Sequence, residues 1–478
     1  MRNYVLRLSL APTCDFNERM NNALNFCEKA DIDEVMFFVA PETLHVGHIT
    51  VQEAKKWMDV ILRAKAILTP RGIKVSLNPW CTLGHYDGGR KLQKEQNFRK
   101  MVDYDGTTAE IPVCPLCENW REYFVELWNF YVETIQPETL WLEDDIRFSS
   151  HNPIKVGCFC EEHMKLYNQR AGTSYDRETF VKKIFTDKKV RKAYLDVTRE
   201  TLVDLLNHLM DNIKGQKSFG LMTGGNAQRE ARHYKEIFSI LAKDNRKKPF
   251  NRLCLFSYQQ RGSQEYGWSF NGTSMFNRKM TGDSADCVSE MENAPNTMYA
   301  KSASYMRYQM LATAPLGLAG DTFSIFEFNG NGVVNYEKYA KVLKEVKPYL
   351  SKVTDLNLLS DDMVGVRVLV SEESSYTVNA KSESFWAIAT TDSWLFSYLE
   401  QLGVACAYTT DVHIKGQVVG VSGQVLRNFT EGEIRALFEN NYVIITADNI
   451  EALRDMGLLS LLHIKGFEIY KELTDGKH

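Results

Sequence analysis

The sequence predicts a (β/α)8 barrel over residues 1–355, followed over 356–478 by a smaller α/β unit of the flavodoxin- or amidotransferase-like kind. Three observations predict it. Eight short apolar runs alternate with amphipathic helices. The runs are continuously apolar, as parallel strands covered on both faces must be. The alternation then resets after Pro348. A doubly wound open sheet would give the same alternation, so the count alone leaves that arrangement open.

Taken in order, the strand-like runs are YVLRLSLA (4–11), EVMFFVA (34–40), IKVSLNPW (73–80), TLWLEDD (139–145), SFGLMTG (218–224), RLCLFSY (252–258), CVSEMEN (287–293) and TFSIFEF (322–328). The helices between them have legible ends. Thr50 and Glu53 form a capping box before VQEAKKWMDVILRAKAIL, which stops at Pro70 and Gly72. NWREYFVELWNFYVETI has apolar residues at helical spacing and stops before Pro137. In the second unit, MVGVRVLV (363–370), VACAYTT and YVIITA read as strands and WLFSYLEQL as a helix. Further helices are expected from caps at Thr430 and at Asp448. This unit has no glycine-rich phosphate loop, and its expected role is structural or oligomeric.

The 478 residues exceed what one hydrophobic core supports, in keeping with two units. With 44% hydrophobic residues, 25% charged residues and a net charge of −4, the composition is that of an ordinary globular protein. No basic block is long enough to track phosphates, so nucleic acid is not an expected partner. MRNYVLRLSLAP breaks its apolar run at Arg7 and reads as a first strand rather than a signal peptide. No segment reaches the ~18 apolar residues of a membrane helix, and the expected compartment is the cytoplasm. Ten cysteines in a chain of this size are then core thiols or metal ligands rather than a disulfide framework.

In a (β/α)8 barrel, side chains at the C-terminal strand tips and the loops that follow converge on one face. The acids there are Glu143, Asp144 and Asp145 on the fourth run, Glu290 and Glu292 on the seventh and Glu327 on the eighth. Strand alternation turns both Glu290 and Glu292 toward the barrel mouth. Hydrolysing a glycosidic bond takes two carboxyl groups, one protonating the leaving oxygen and the other attacking carbon or activating water. Strands four and seven face each other across a barrel mouth, so a pair drawn from them can flank a bond. The bland alternative is that these acids solvate loop ends or pair with bases such as Arg147. Clustering argues for more, since neighbouring carboxylates raise one another's pKa.

Cys114, Cys158, Cys160 and His163 make a Cys3His set suited to a closed, structural zinc site, with Cys117 as a rival ligand. Reduced loop cysteines without metal are the alternative. No organic cofactor is expected. Aromatic and amide residues after strand ends suit a neutral polar ligand. The candidate sugar-binding residues are Trp80, His85, Trp141, Glu143, Asn226, Arg261, Trp268 and Glu327, with Tyr86, Tyr266 and Asn329 beside them.

At two motifs the chain resembles glycoside hydrolase family 42, the β-galactosidase-type (β/α)8 enzymes, and more closely the uncharacterised barrel proteins related to it. Trp141, then Asp144-Asp145, then Cys158, Cys160 and His163 follow the order of that family's fourth-strand Trp, Asn-Glu and cysteine cluster. Met291-Glu292-Asn293-Ala294-Pro295 stands where the family has Met-Glu-Gln-x-Pro. The resemblance implies a retaining, β-galactosidase-like enzyme for a short oligosaccharide or glycoside. Glu292 would be its nucleophile, Asp145 its acid/base and Asp144 the residue that orients the 2-hydroxyl. It also implies a trimer formed through the second unit. Aspartate is one methylene shorter than glutamate, which widens the carboxyl separation from the retaining ~5–5.5 Å toward the inverting ~6.5–9.5 Å. Two other readings stay open, a zinc-dependent hydrolase and a non-catalytic carbohydrate-binding barrel.

Overall fold

The computed structural model describes residues 1–41, 47–224, 230–261, 270–327, 336–464 and 467. It divides into Met1–Asp362 and Met363–His478. The division falls seven residues beyond the expected 355/356 boundary, because the turn after the helix Glu337–Thr354 stays with the first unit.

Among the described residues, eight parallel strands close the first unit into a barrel. They are β1 (Asn3–Leu8), β2 (Glu34–Val39), β3 (Lys74–Pro79), β4 (Leu140–Leu142), β5 (Phe219–Thr223), β6 (Phe250–Leu253), β7 (Asp286–Glu292) and β8 (Gly320–Ser324). The closed order is β1-β8-β7-β6-β5-β4-β3-β2. Each overlaps one of the eight apolar runs, but several start earlier and stop sooner than those runs do. β4 ends before Glu143, and β6 starts at Phe250 and ends at Leu253. The polar residues at the tips turn out of the ladder into loops, and after β6 both Phe256 and Ser257 take left-handed φ values, 56° and 54°.

Helix α1 (Phe16–Ala30) starts at Asp15, whose side chain accepts from the Glu18 amide. Helix α2 (Val51–Leu68) has the Thr50/Glu53 capping box, and α3 (Glu118–Ile135) follows Cys117. No helix among the described residues is long and apolar enough to cross a membrane.

Alternate residues of the strands point into the barrel. Val5, Met36, Trp141, Met222 and Val288, with Phe250 against them, form an apolar layer. One step further along the strands stand Arg7, Glu143, Arg252 and Glu290. The interior is therefore apolar below and ionic at the C-terminal end. At the other end the ring is closed by Arg2, whose Nε and NH2 donate to the Asp321 carboxylate at 2.8 and 2.7 Å, both side chains fully buried. Ser289 Oγ donates to the same carboxylate at 2.6 Å, tying in β7.

Among the described residues the second unit has four parallel strands, β9 (Val366–Leu369), β10 (Cys406–Thr409), β11 (Val418–Val421) and β12 (Tyr442–Ile445), in the order β10-β9-β11-β12. Three match the expected runs. β11 went unread, since a four-residue strand broken by Gly420 has no alternation to betray it. The Thr430 capping box is present before Glu431–Asn440. The last expected helix begins at Ala447, after Thr446, so Asp448 lies in its first turn instead of capping it.

Gly220 on β5 faces the Trp141 indole, and a Cβ there would come within 2.3–2.6 Å of three ring carbons. Gly220→Ala is expected to destabilise the first unit by about 1–3 kcal/mol through overpacking. Thermal melting checks this; an unchanged Tm would contradict the packing.

Candidate functional site

The ionic layer is built around Arg7. Its Nε donates to Asn78 Oδ1 at 2.7 Å and its NH1 to Ser324 Oγ at 3.3 Å, and its NH2 forms a short contact with Glu143 Oε1. NH1 also lies 3.6 Å from Glu292 Oε2, and the guanidinium stacks 4.0 Å above the Phe38 ring. β1 neighbours neither β4 nor β7, so these ion pairs cross the barrel interior. A second guanidinium stands beside the first. Arg252 donates to Glu290 Oε1 and Glu292 Oε2, both at 2.7 Å, and to Thr322 Oγ1 at 2.9 Å. Tyr258 Oη at 2.8 Å and the Leu255 amide at 3.2 Å complete the shell of Glu290. Burial, and then the charge of Glu292, push Glu290 up to about 7 against the pull of Arg252.

The three adjacent acids after β4 part ways. Glu143 points inward to Arg7, and its Oε2 accepts from the Asp144 amide at 3.0 Å. Burial raises its pKa, with Arg7 pulling the other way. Asp144 turns outward, with 36% of its side chain exposed. Arg147 NH1 lies 2.6 Å from its Oδ2 and His85 Nδ1 3.5 Å from its Oδ1. Burial opposes its charge, yet Arg147 and His85 outweigh that and hold the carboxyl well below the usual range. Asp145 is fully buried: its Oδ2 accepts from the Thr82 and Gly84 amides at 2.9 and 2.7 Å, and its Oδ1 has no partner among the described residues. Burial first, then the charges of Glu143 and Asp144, raise it to about 8. The expected acid/base residue therefore ties the loop after β3 to the tip of β4, while its neighbour meets solvent.

His85 stacks on Trp80 with 3.8 Å between centroids, and its Nε2 lies 3.1 Å from the Trp80 carbonyl. With Nε2 at the Trp80 carbonyl, the ring supports the Asp144 carboxylate through Nδ1 only when it is protonated. Burial lowers His85 to about 4. Trp141 is part of the apolar layer beneath, 2% exposed, and so offers no face to a ligand, contrary to its place among the sugar-binding candidates. Arg261 is exposed and binds Gln259 Oε1 at 2.8 Å. Glu327 is partly buried after β8. Asn226, Tyr266, Trp268 and Asn329 lie outside the described residues.

Sequence reasoning missed Arg7, Arg252, Tyr258 and Lys301. Lys301 is buried, donates from Nζ to Gln309 Oε1 at 2.9 Å, and is lowered to about 7 by burial against the pull of Glu292 and Glu290. A signal was present for the arginines, since a cation inside an apolar strand requires a buried partner.

Cys114, Cys158, Cys160 and His163 are buried with one ligand atom each within 4.8 Å of the others. Cys114 Sγ lies 3.7 Å from Cys160 Sγ, and His163 Nδ1 lies 3.5 and 3.4 Å from those sulfurs. A zinc tetrahedron with Zn–S of about 2.3 Å and Zn–N of about 2.0–2.1 Å has edges of about 3.8 and 3.6 Å, so the set fits the ion. Cys117 stands apart, accepting from the Arg99 amide at 3.1 Å. His85, Glu143 and Asp144 also lie within 4.8 Å of one another. There, Arg7 and Arg147 already hold the carboxylates, and a divalent cation would meet two positive charges.

No protein-family model matches the chain, and no curated protein matches it. Among solved structures, it is similar to α-L-fucosidase isoenzyme 2 from Paenibacillus thiaminolyticus, with a TM-score of 0.55 at 11% identity over 95% of this chain and 65% of that one. This chain thus spans less than two thirds of that enzyme's length. The catalytic domain of β-amylase from Paenibacillus polymyxa gives 0.47 at 11% identity, over 72% of this chain and 98% of that one. The PgaB (BpsB) glycoside hydrolase domain from Bordetella bronchiseptica gives 0.45 at 11%, over 75% and 99%. At such identities the fucosidase match shows a shared fold and no more.

Because folding raises the Asp145 carboxyl to about 8, far above its unfolded value near ~3.9, its contribution to stability is full below that value and is lost as pH rises toward 8. Asp145→Asn keeps an oxygen for the two amides without a buried charge. The variant is expected to gain stability over wild type on the order of a few kcal/mol at pH 8 and to match it near pH 4. Denaturant melts at the two pH values check this; equal differences at both would refute it.

Proposed function

We propose that the barrel is a glycoside hydrolase for a short oligosaccharide or simple glycoside, with Glu292 as nucleophile and Asp144 as acid/base. One observation carries the reading: Arg7 contacts both Glu143, next to Asp144 after β4, and Glu292 on β7, so the tips of these two strands are linked across the barrel interior. Asp144 replaces Asp145 in this role because a proton donor must reach the leaving oxygen, and Asp144 is the exposed carboxylate at that tip. Glu292, with 18% of its side chain exposed, is held in one orientation by Arg252 and Arg7. The Trp80–His85 stack borders Asp144 and supplies an aromatic flank for a sugar. The glycoside-cleaving neighbours lend support at the level of fold, and the family 42 resemblance favours a β-galactoside and retention.

Hydrolysis of a panel of aryl glycosides tests the assignment, with product anomers followed by NMR. Asp144→Asn and Glu292→Gln are each expected to lower kcat/KM by about 10²–10⁴-fold, and Asp145→Asn to leave most activity. Loss in Asp145→Asn alone would return the acid/base role to that residue. Activity untouched by all three would end the proposal.

A carboxyl held low by Arg147 carries its proton only in acid, so kcat/KM should fall as pH rises. Arg147→Met removes that cation and is expected to move the alkaline limb of the pH profile upward by about one unit. An unmoved limb would show that another group donates the proton.

We propose zinc for the Cys114, Cys158, Cys160 and His163 set. With four protein ligands no coordination position is left for water, so the ion would pin the loop behind β4 while the carboxylates do the chemistry. One zinc per chain is expected by elemental analysis. Chelation should lower Tm before turnover fails, whereas a zinc hydrolase would lose turnover first. By resemblance, the second unit would join three copies, which light scattering would register as a trimer.

A further inference from the structure

We infer that the cavity in the second unit is a binding site for a neutral monosaccharide. The cavity measures about 250 Å³ and opens at the C-terminal ends of β9 and β11. These strands are neighbours, with β10 beyond β9 on one side and β12 beyond β11 on the other, so the segments leaving them diverge. Open parallel sheets bind ligands in the crevice created where the strand order reverses in this way.

The lining gives the chemistry. Asp392 is 1% exposed; Ser374 Oγ donates to one carboxylate oxygen and the Ser371 backbone also bonds the carboxylate, while Oδ1 has no hydrogen-bond partner among the described residues. A buried, unpaired carboxylate oxygen calls for a donor, and a ligand hydroxyl supplies one. The neighbouring turn is shaped around it. Gly423 has φ 62°, and a Cβ there would lie 2.9 Å from Oδ1. Thr391 and Gln424 line the same space and bring groups able both to donate and to accept. Trp386 lines it too and is 70% exposed, the aromatic face on which the apolar side of a sugar ring rests.

Charge excludes anionic ligands. Among the described residues the one cation of the lining, Lys381, is engaged by Asp448 at 2.7 Å and Glu451 at 3.0 Å. The helix that begins at Ala447 carries Asp448 in its first turn, where a phosphate would otherwise sit. A carboxylate acceptor, hydroxyl and amide groups, an aromatic platform and a lysine already paired with two carboxylates together describe a receptor for an uncharged polyhydroxylated ring.

The test titrates the full chain with D-galactose, L-fucose and D-glucose by calorimetry and saturation-transfer NMR, in wild type and in Glu292→Gln. A saturable event is expected in both backgrounds for at least one sugar. Trp386→Ala should weaken it at least about tenfold and Asp392→Asn should abolish it. Trp386→Ala, an exposed position, should leave Tm and aryl-glycoside kcat/KM unchanged. Binding that survives both substitutions, no binding of any of the three sugars, or tighter binding of glucosamine than of glucose would overturn the inference. None of these results depends on whether the barrel hydrolyses glycosides.

Discussion

A guanidinium set inside a barrel has to be neutralised where it stands, and Arg7 imposes that condition on the upper half of this one. It is surrounded by Asn78, Ser324 and Glu292 from three strands and by Glu143 just past a fourth, and lies against Phe38 from a fifth. Arg252 repeats the demand from β6, and Glu292 answers both. Taking one partner out of such a network leaves an uncompensated buried charge, which costs on the order of 3–5 kcal/mol. Glu143, Glu290 and Glu292 are thus the counter-ions that let two arginines stay inside, and the proposed nucleophile is one of them. Architecture and reactivity cannot be varied independently here.

Three consecutive acids at one strand tip show how quickly the environment separates like side chains. Glu143, the first residue past β4, still points inward and meets Arg7. The ladder has ended by Asp144, which swings to Arg147 and solvent. Asp145 folds back into the loop after β3 and bonds two backbone amides. A carboxyl with one oxygen bound by two amides in a dry site stiffens a loop; one resting on a cation at the surface can exchange a proton with a ligand.

How far the sequence could be read follows from the range of the forces involved. The eight barrel strands, the Thr50 and Thr430 caps and the Cys3His grouping were legible because they rest on local periodicity, capping chemistry and ligand type. The ends of β4 and β6 were not, since strands stop where polar tips find partners remote in the chain. β11 escaped because four residues are too few to display a period. The burial of Trp141 and Asp145 depends on which neighbours fold over them, which no local pattern encodes. Arg7 was visible and misjudged: it broke an apolar run, and that break was itself the sign of a counter-ion elsewhere.

The Arg2–Asp321 pair, at the floor of the barrel, bears on how the chain reaches this state. Its two members are separated by 319 positions, and the pair fastens the first strand to the last. Until the ribosome has delivered the eighth strand, β1 has one open edge and a guanidinium with no anion to meet. Ring closure is therefore a late, long-range event, and the nascent first unit must be shielded from mispairing along that edge for most of its synthesis.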